Sequence, residues 1–372
     1  MKTALCERFG IDYPIFVFTP SEKVAAAVTR AGGLGVLGCV RFNDADDLEN
    51  VLQWMDANTD GKPYGVDVVM PAKVPTEGSA VDINKLIPQT HRDFVAKTLA
   101  DLGVPPLPAD EDRNEGVLGW LHSVARSHVD VALRHPIKLI ANALGSPPKD
   151  VIDQVHAAGV PVAALAGSAK HAQRHIENGV DIIVAQGHEA GGHTGEIGSM
   201  VLWPEIVDAA GDTAVLAAGG IGTGRQVAAA LALGAQGVWM GSAFLTAAEY
   251  DLGVRSDGGT SVMQDALLAA TSADTVRRRI YTGKPARLLK SRWTEAWDAD
   301  GAPEPLPMPL QNILVSEAHQ RMSESHDPSA IAMPVGQIVG RMNEIRPVAD
   351  IVAELVAGFE AATKRLDGIR ES

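Results

Sequence analysis

The feature that most constrains this chain is a rhythm of eight short, almost wholly apolar runs separated by helix-forming segments that end on glycine. The runs are Ile15–Phe18, Leu34–Leu37, Val66–Met70, Leu139–Ala143, Val160–Leu165, Ile182–Ala185, Ala214–Ala218 and Val238–Met240. Runs that are apolar on both faces suit parallel strands covered by helices, because half-exposed antiparallel strands alternate apolar with polar. Four of the intervening segments show a capping residue at the start and glycine at the end: Ser21 to Gly32–Gly33, Ser146 (with Pro147 at the first helical position) to Gly159, Ser168 to Gly179, and Thr223 to Gly234. Eight such units predict an α/β fold, a (β/α)8 TIM barrel, with an open doubly wound sheet as the alternative.

Two regions break the rhythm. Residues from about 71 to 118 are polar, proline-bearing and weakly periodic, which predicts an insertion after the third strand, at the end of a barrel where active sites form. After about residue 250 the alternation stops. The expected organisation is therefore a barrel over 1–250 and a mostly helical region over 251–372. Its last helix, beginning near Pro347, is expected to pack back on the barrel.

Charge and cysteine content narrow the partners. Asp and Glu number 46 against 32 Lys and Arg, a formal net charge of −14. Such a chain is ill suited to nucleic acid, which needs clustered cations, but a small anionic substrate remains compatible with it. Two cysteines, Cys6 and Cys39, are too few for a disulfide scaffold or a four-cysteine metal site. No run approaches the length of a membrane span and no signal pattern opens the chain, so a cytoplasmic location without a membrane partner is expected.

Three glycine-rich stretches carry the chemistry, and one is misleading. GLGVLG over 33–38 matches a dinucleotide-binding pattern, yet it follows a helix and runs into a strand, the reverse of what pyrophosphate binding requires. AQGHEAGGHTG over 185–195 follows the sixth strand. His188, Glu189, His193 and Glu196 resemble metal ligands, but the histidine spacing and two glycines oppose the helical zinc motif, and no metal is expected. The loop instead suggests main chain passing close to a planar or anionic group, with His193 held beyond it as the candidate functional residue. His188 reads as structural or solvated, and the other nine histidines as surface residues. AAGGIG over 217–222 and MGSAF over 240–244 end the last two strands, where barrels bind phosphate through N–H groups. Ser242 can add a hydroxyl donor there. The phosphate would belong to a substrate or to FMN.

Together AGGLG (31–35), AQGxEAGGHxG (185–195), AAGGI (217–221) and MGSAF (240–244) resemble the nitronate monooxygenases, with weaker likeness at GKPAR (283–287) and VGQxxG (335–340). The resemblance implies an FMN-containing barrel. The flavin phosphate would lie against Gly220 and the Met240–Gly241–Ser242 turn, with Trp239 in the same segment. Gln186 and Gly191 would approach the ribityl chain and ring, and His193 would be the catalytic histidine. Two departures stand out. The family's first strand ends in Ala-Pro-Met beneath the flavin, where this chain has Phe18-Thr19-Pro20. The family's Gly-Val-Asn becomes Gly65-Val66-Asp67, placing a carboxyl where an amide bonds the flavin.

The activity so implied is oxidation of an alkyl nitronate or nitroalkane by FMN and O2, giving a carbonyl compound and nitrite. Alternatives are an FMN-dependent NAD(P)H reductase of a quinone or enoyl substrate, and a flavin-free barrel acting on a phosphorylated metabolite. The subunit number stays open, a homo-oligomer included.

Overall fold

A computed structural model of the chain describes residues 1–70, 83–107, 122–253, 259–325 and 327–371. Of the expected insertion, 71–82 and 108–118 lie outside the described residues. Strands β1 (Ile15–Thr19), β2 (Leu34–Gly38), β3 (Gly65–Val68), β4 (Leu139–Asn142), β5 (Val162–Ala166), β6 (Ile182–Gln186), β8 (Ala214–Ala218) and β9 (Gly237–Met240) form a closed barrel. All neighbouring pairs are parallel, and β9 closes on β1 through Ile15↔Val238 and Val17↔Met240. A two-residue strand β7 (Gly192–His193) joins β10 (Thr275–Arg278) and β11 (Ala286–Leu289) in a separate sheet. The (β/α)8 architecture expected from the eight apolar runs is present, and each run supplies one barrel strand.

The helices, in chain order, are α1 (Ala4–Phe9), α2 (Glu22–Arg30), α3 (Ala45–Asn58), α4 (Gln89–Asp101), α5 (His122–Ala132), α6 (Lys149–Ala157), α7 (Ala169–Glu177), α8 (Ser199–Ala210), α9 (Gly224–Ala232), α10 (Val262–Ala269), α11 (Arg292–Asp298), α12 (Leu310–Glu324) and α13 (Val348–Glu371).

Strand alternation builds two layers. Phe16, Val36, Ala141, Val184, Leu216 and Trp239 point inward and fill the barrel. Val17, Leu37, Val66, Ile140, Ile183 and Val238 point outward against the helices. Gly35 explains why the 33–38 stretch is glycine-rich: a Cβ there would fall 2.0 Å from the Ala25 carbonyl oxygen, so glycine lets α2 lie on β2. The stretch is a strand, not a nucleotide loop.

Ser21, Ser168 and Thr223 cap their helices by accepting from the N–H of Val24, His171 and Gln226. Ser146 does not cap one. Helix α6 starts later, after Pro148 (ψ 146°), because consecutive prolines hold the preceding backbone extended. The Ser146 hydroxyl instead lies 2.6 Å from Nδ1 of His175. The surface reading of the remaining histidines also needs correction. His128 and His175 are 0% and 5% exposed, each with Nε2 against a main-chain oxygen, Phe42 at 3.1 Å and Leu165 at 3.0 Å. One such bond makes burial of a neutral imidazole tolerable, and residue type alone does not show which helix face it occupies.

Among the described residues beyond 251 the longer elements are helices, and the β10–β11 hairpin escaped the sequence pattern because β10, Thr-Val-Arg-Arg, is polar and half-exposed rather than a two-sided apolar run. A second apolar cluster brings Leu267, Leu288, Trp293, Val315 and Val335 together with Val95 and Leu99 of α4. Arg321 fastens this contact by donating to the carbonyl oxygens of Pro105 (2.8 Å) and Val104 (2.9 Å). Helix α13 returns to the barrel, where Val348, Val352 and Leu355 join its strand–helix core. A Cβ on Gly224 would sit 2.2 Å from the Leu355 carbonyl oxygen, so glycine permits this close crossing of α9 and α13.

Candidate active site

The C-terminal ends of the barrel strands form the mouth. Phe18, Asp67, Gln186 and Trp239 lie on the inward register at or near this end, since they alternate with residues of the outer layer. Thr19 and Met240 fall on the outer register. Thr19 accepts from the Ser21 N–H (3.2 Å), which shapes the turn into α2. Met240 sits in the strand–helix layer, so only its main chain is offered to the mouth.

The loop after β6 is held at both ends. Gln186, 9% exposed, donates to the His193 carbonyl oxygen at 2.8 Å and ties the loop over its own strand end. The Glu189 carboxylate accepts from the N–H and hydroxyl of Ser199 at 2.9 and 2.8 Å, where negative charge at the start of α8 is favourable. His188 turns within the loop, its Nδ1 lying 3.3 Å from the Gly195 carbonyl oxygen. Gly191 is glycine for want of room, because a Cβ would fall 2.7 Å from Val335.

His193 then enters β7, paired with Ala286 of β11. Its Nε2 lies 2.6 Å from the Thr282 hydroxyl. Thr282 is 0% exposed and accepts from the Lys284 N–H at 3.4 Å. With the Thr282 hydroxyl as donor, Nε2 accepts and the imidazole proton sits on Nδ1. Burial, aided by the charge of Lys284, pushes His193 down to about 4. The ring is therefore neutral at neutral pH.

Two arginines hold the same loop from β10 and β11. Arg287, 4% exposed, donates to the His188 carbonyl oxygen at 3.0 Å and to the Thr275 hydroxyl at 2.9 Å. Arg277, directly opposite it, donates to the Thr194 hydroxyl (3.1 Å) and carbonyl oxygen (2.8 Å).

The turns after β8 and β9 adjoin this loop. Gly219 and Gly220 adopt φ of +97° and +72°, a conformation suited to glycine. No acceptor among the described residues takes the main-chain N–H of Gly220, Ile221, Gly241 or Ser242. Uncommitted donors on two adjacent turns fit an anionic oxygen cluster such as a phosphate. A third segment completes the cradle. Gly336 donates to the Ser242 hydroxyl oxygen at 2.9 Å, Gln337 donates to the Glu189 carbonyl oxygen at 2.9 Å, and a Cβ on Gly336 would lie 2.7 Å from that oxygen. With its oxygen accepting from Gly336, Ser242 keeps its hydroxyl proton to give.

The mouth thus unites one neutral histidine, a glycine-framed set of N–H donors and a buried carboxyl. The sequence pattern of the nitronate monooxygenases matches residues 2–358. The chain belongs to that family. A Mycobacterium tuberculosis protein named as a monooxygenase is 46% identical, with 99% of each chain covered. A Staphylococcus aureus protein named as a nitronate monooxygenase is 28% identical, covering 95% of this chain and 96% of its own. Among solved structures, nitroalkane oxidase from Streptomyces ansochromogenes superposes with a TM-score of 0.78 at 28% identity, over 98% of this chain and all of that one (100%). FabK from Thermotoga maritima does so with a TM-score of 0.74 at 26% identity, over 99% of both.

Family membership makes the chain an oxidoreductase and agrees with the likeness read from the four motifs. Among the described residues no helix is long and apolar enough to cross a membrane. Sequence reasoning missed Thr282, Arg277 and Arg287 as neighbours of His193, and Gly336 as the third wall. The familial look of GKPAR and VGQxxG was the signal that pointed to two of these places.

Proposed function

We propose that this nitronate monooxygenase family member binds FMN at the barrel mouth and oxidises alkyl nitronates with O2 to a carbonyl compound and nitrite. The observation that carries the reading is that the loop bearing His193 packs, through Glu189 and Gly336, on the turns that hold the uncommitted N–H groups of Gly220, Ile221, Gly241 and Ser242. Those donors and the Ser242 hydroxyl would hold the flavin phosphate, with Gln186 and Gly191 lining its path and Phe18, Asp67 and Trp239 beneath the ring. Bound there, FMN would supply the electron-accepting ring and the link to oxygen.

The chain's own residues bind and orient the substrate. A nitronate is already an anion, so it asks for a hydrogen-bond donor rather than a base. Neutral His193, with its proton on Nδ1, supplies that donor. Thr282 fixes this tautomer from the other side of the ring. For a neutral nitroalkane the same ring would take the carbon-bound proton on Nε2, which requires the Thr282 hydroxyl to give up its bond. Lys284 adds positive charge beside His193 and favours the anionic substrate.

Oxygen uptake and nitrite release across a nitronate panel, run beside anaerobic mixing with NADH and NADPH, test the reading. Nitrite formed with oxygen consumed, and no bleaching by either nucleotide, is the expected result. Rapid bleaching without nitrite would assign a reductase instead.

A further inference from the structure

A carboxyl group faces into the barrel without a partner among the described residues. Asp67 lies between Val66 and Val68, both of which belong to the strand–helix layer, so alternation turns Asp67 toward the interior. Its register partners are Gly38 on β2 and Ala141 on β4, which offer it no polar side chain. It is 2% exposed. No group among the described residues donates a hydrogen bond to its carboxyl oxygens.

Among the described residues the groups near β3 do not reach the Asp67 carboxyl. Cys39, leaving β2, gives its N–H to the Asp67 carbonyl oxygen, and its thiol is held neutral by burial. Arg41 beyond it pairs with Glu22 at 2.6 Å; its buried Nε has no partner among the described residues, yet burial is the sole cause of the Asp67 shift, so the guanidinium does not act as its counter-ion. Tyr64, preceding β3, donates to Asp56. From β4, Asn142 spends its amide on Met70 and Gly145. From β6, Gln186 turns to the His193 carbonyl oxygen, and neutral His193 faces Thr282. β1 brings only Phe18 and Thr19.

An ionised carboxylate in this place would lose its hydration and gain neither donor nor counter-ion from the described residues. Burial accordingly lifts Asp67 from the ordinary carboxylate range to about 8. The neutral acid carries one O–H that the described residues leave without an acceptor, and the flavin ring system offers carbonyl oxygens and ring nitrogens.

We propose that Asp67 stands at the barrel mouth as an un-ionised carboxylic acid that donates its hydrogen bond to the flavin, and that its ionisation makes the flavin harder to reduce. This rests on the flavin reading above. The electron and proton balance follows from charge. Reduction brings two electrons and one proton onto the flavin, and the ring gains negative charge. Where Asp67 has already lost its proton to solvent, that charge draws a proton back onto the carboxylate. Reduction above the Asp67 titration therefore takes up one more proton than reduction below it.

The test is the flavin reduction potential of the purified holoenzyme against pH, for wild type and Asp67→Asn. The wild-type line should steepen above about pH 8, and the variant, which keeps an amide donor of the same size, should lose the break. Straight, parallel lines for both overturn the proposal while leaving flavin binding intact. A chain that retains neither FMN nor FAD overturns the flavin reading and this proposal with it. Should the variant not fold, carboxyl carbon NMR of aspartate-labelled wild type decides alone. One aspartate titrating far above the rest is expected, and all of them titrating in the ordinary range sinks the idea.

Discussion

Nε2 of His193 and the hydroxyl of Thr282, 89 residues apart in the chain, meet at 2.6 Å inside the barrel mouth. The pairing couples the orientation of the hydroxyl to the tautomer of the imidazole, and so to which of its nitrogens can donate. Loss of the whole ring is the first expectation. His193→Ala should keep bound flavin and lose turnover by at least ~100-fold. Unchanged steady-state kinetics would remove the histidine from the mechanism.

Thr282→Val keeps the shape of the side chain and deletes the hydroxyl. One hydrogen bond of about 1 kcal/mol corresponds to roughly a fivefold to tenfold loss. We expect that loss in kcat more than in KM, with Thr282→Ser near wild type. Equal defects in the valine and serine variants would show that packing, not the hydroxyl, matters at this position.

The pH behaviour of His193 has a definite sign. Its titration lies at about 4 when folded, against about 6.5 in an unfolded chain. If the ring must be unprotonated, kcat/KM stays level through neutral pH and falls only as pH drops through about 4. Because the unfolded chain binds more protons in this window, the contribution to stability is present above about pH 6.5 and lost as pH falls toward 4. A kinetic acid limb centred near 6.5 would contradict the buried, neutral ring.

Asp67 titrates in the opposite sense. Its folded-state value, raised to about 8, means the folded chain holds a proton that the unfolded chain releases near 4. Stability from this site is greatest below about pH 4 and declines as pH rises to about 8. Denaturation midpoints of Asp67→Asn should therefore gain on wild type between about pH 5 and about pH 9. A constant difference across that range would mean Asp67 is not shielded.

Gly336 tests the third wall. A Cβ would lie 2.7 Å from the Glu189 carbonyl oxygen, and relieving such a contact costs on the order of 1–3 kcal/mol. Gly336→Ala should lower both the thermal midpoint and flavin occupancy by displacing Gly336 from Ser242. Full occupancy at wild-type stability would exclude this segment from the cradle.

The amino-acid order by itself determined the barrel, because eight two-sided apolar runs between capped, glycine-stopped helices have few ways to bury both faces at once. It also marked the loop of His193 and the turns at Gly220 and Ser242, since glycine is demanded locally where backbone must turn or approach closely. Tertiary structure decided the rest. Whether Ser146 caps a helix or meets His175 depends on how far two prolines push the helix start. His128 and His175 are interior because of the helix face they happen to occupy. Thr282, Arg287 and Gly336 reach the site through a two-residue strand pairing and a glycine-to-carbonyl contact across long stretches of chain, which no local period encodes. The charge state of Asp67 was likewise beyond the sequence, because the identity of a carboxyl is local whereas its loss of water and of counter-ions belongs to the assembled barrel.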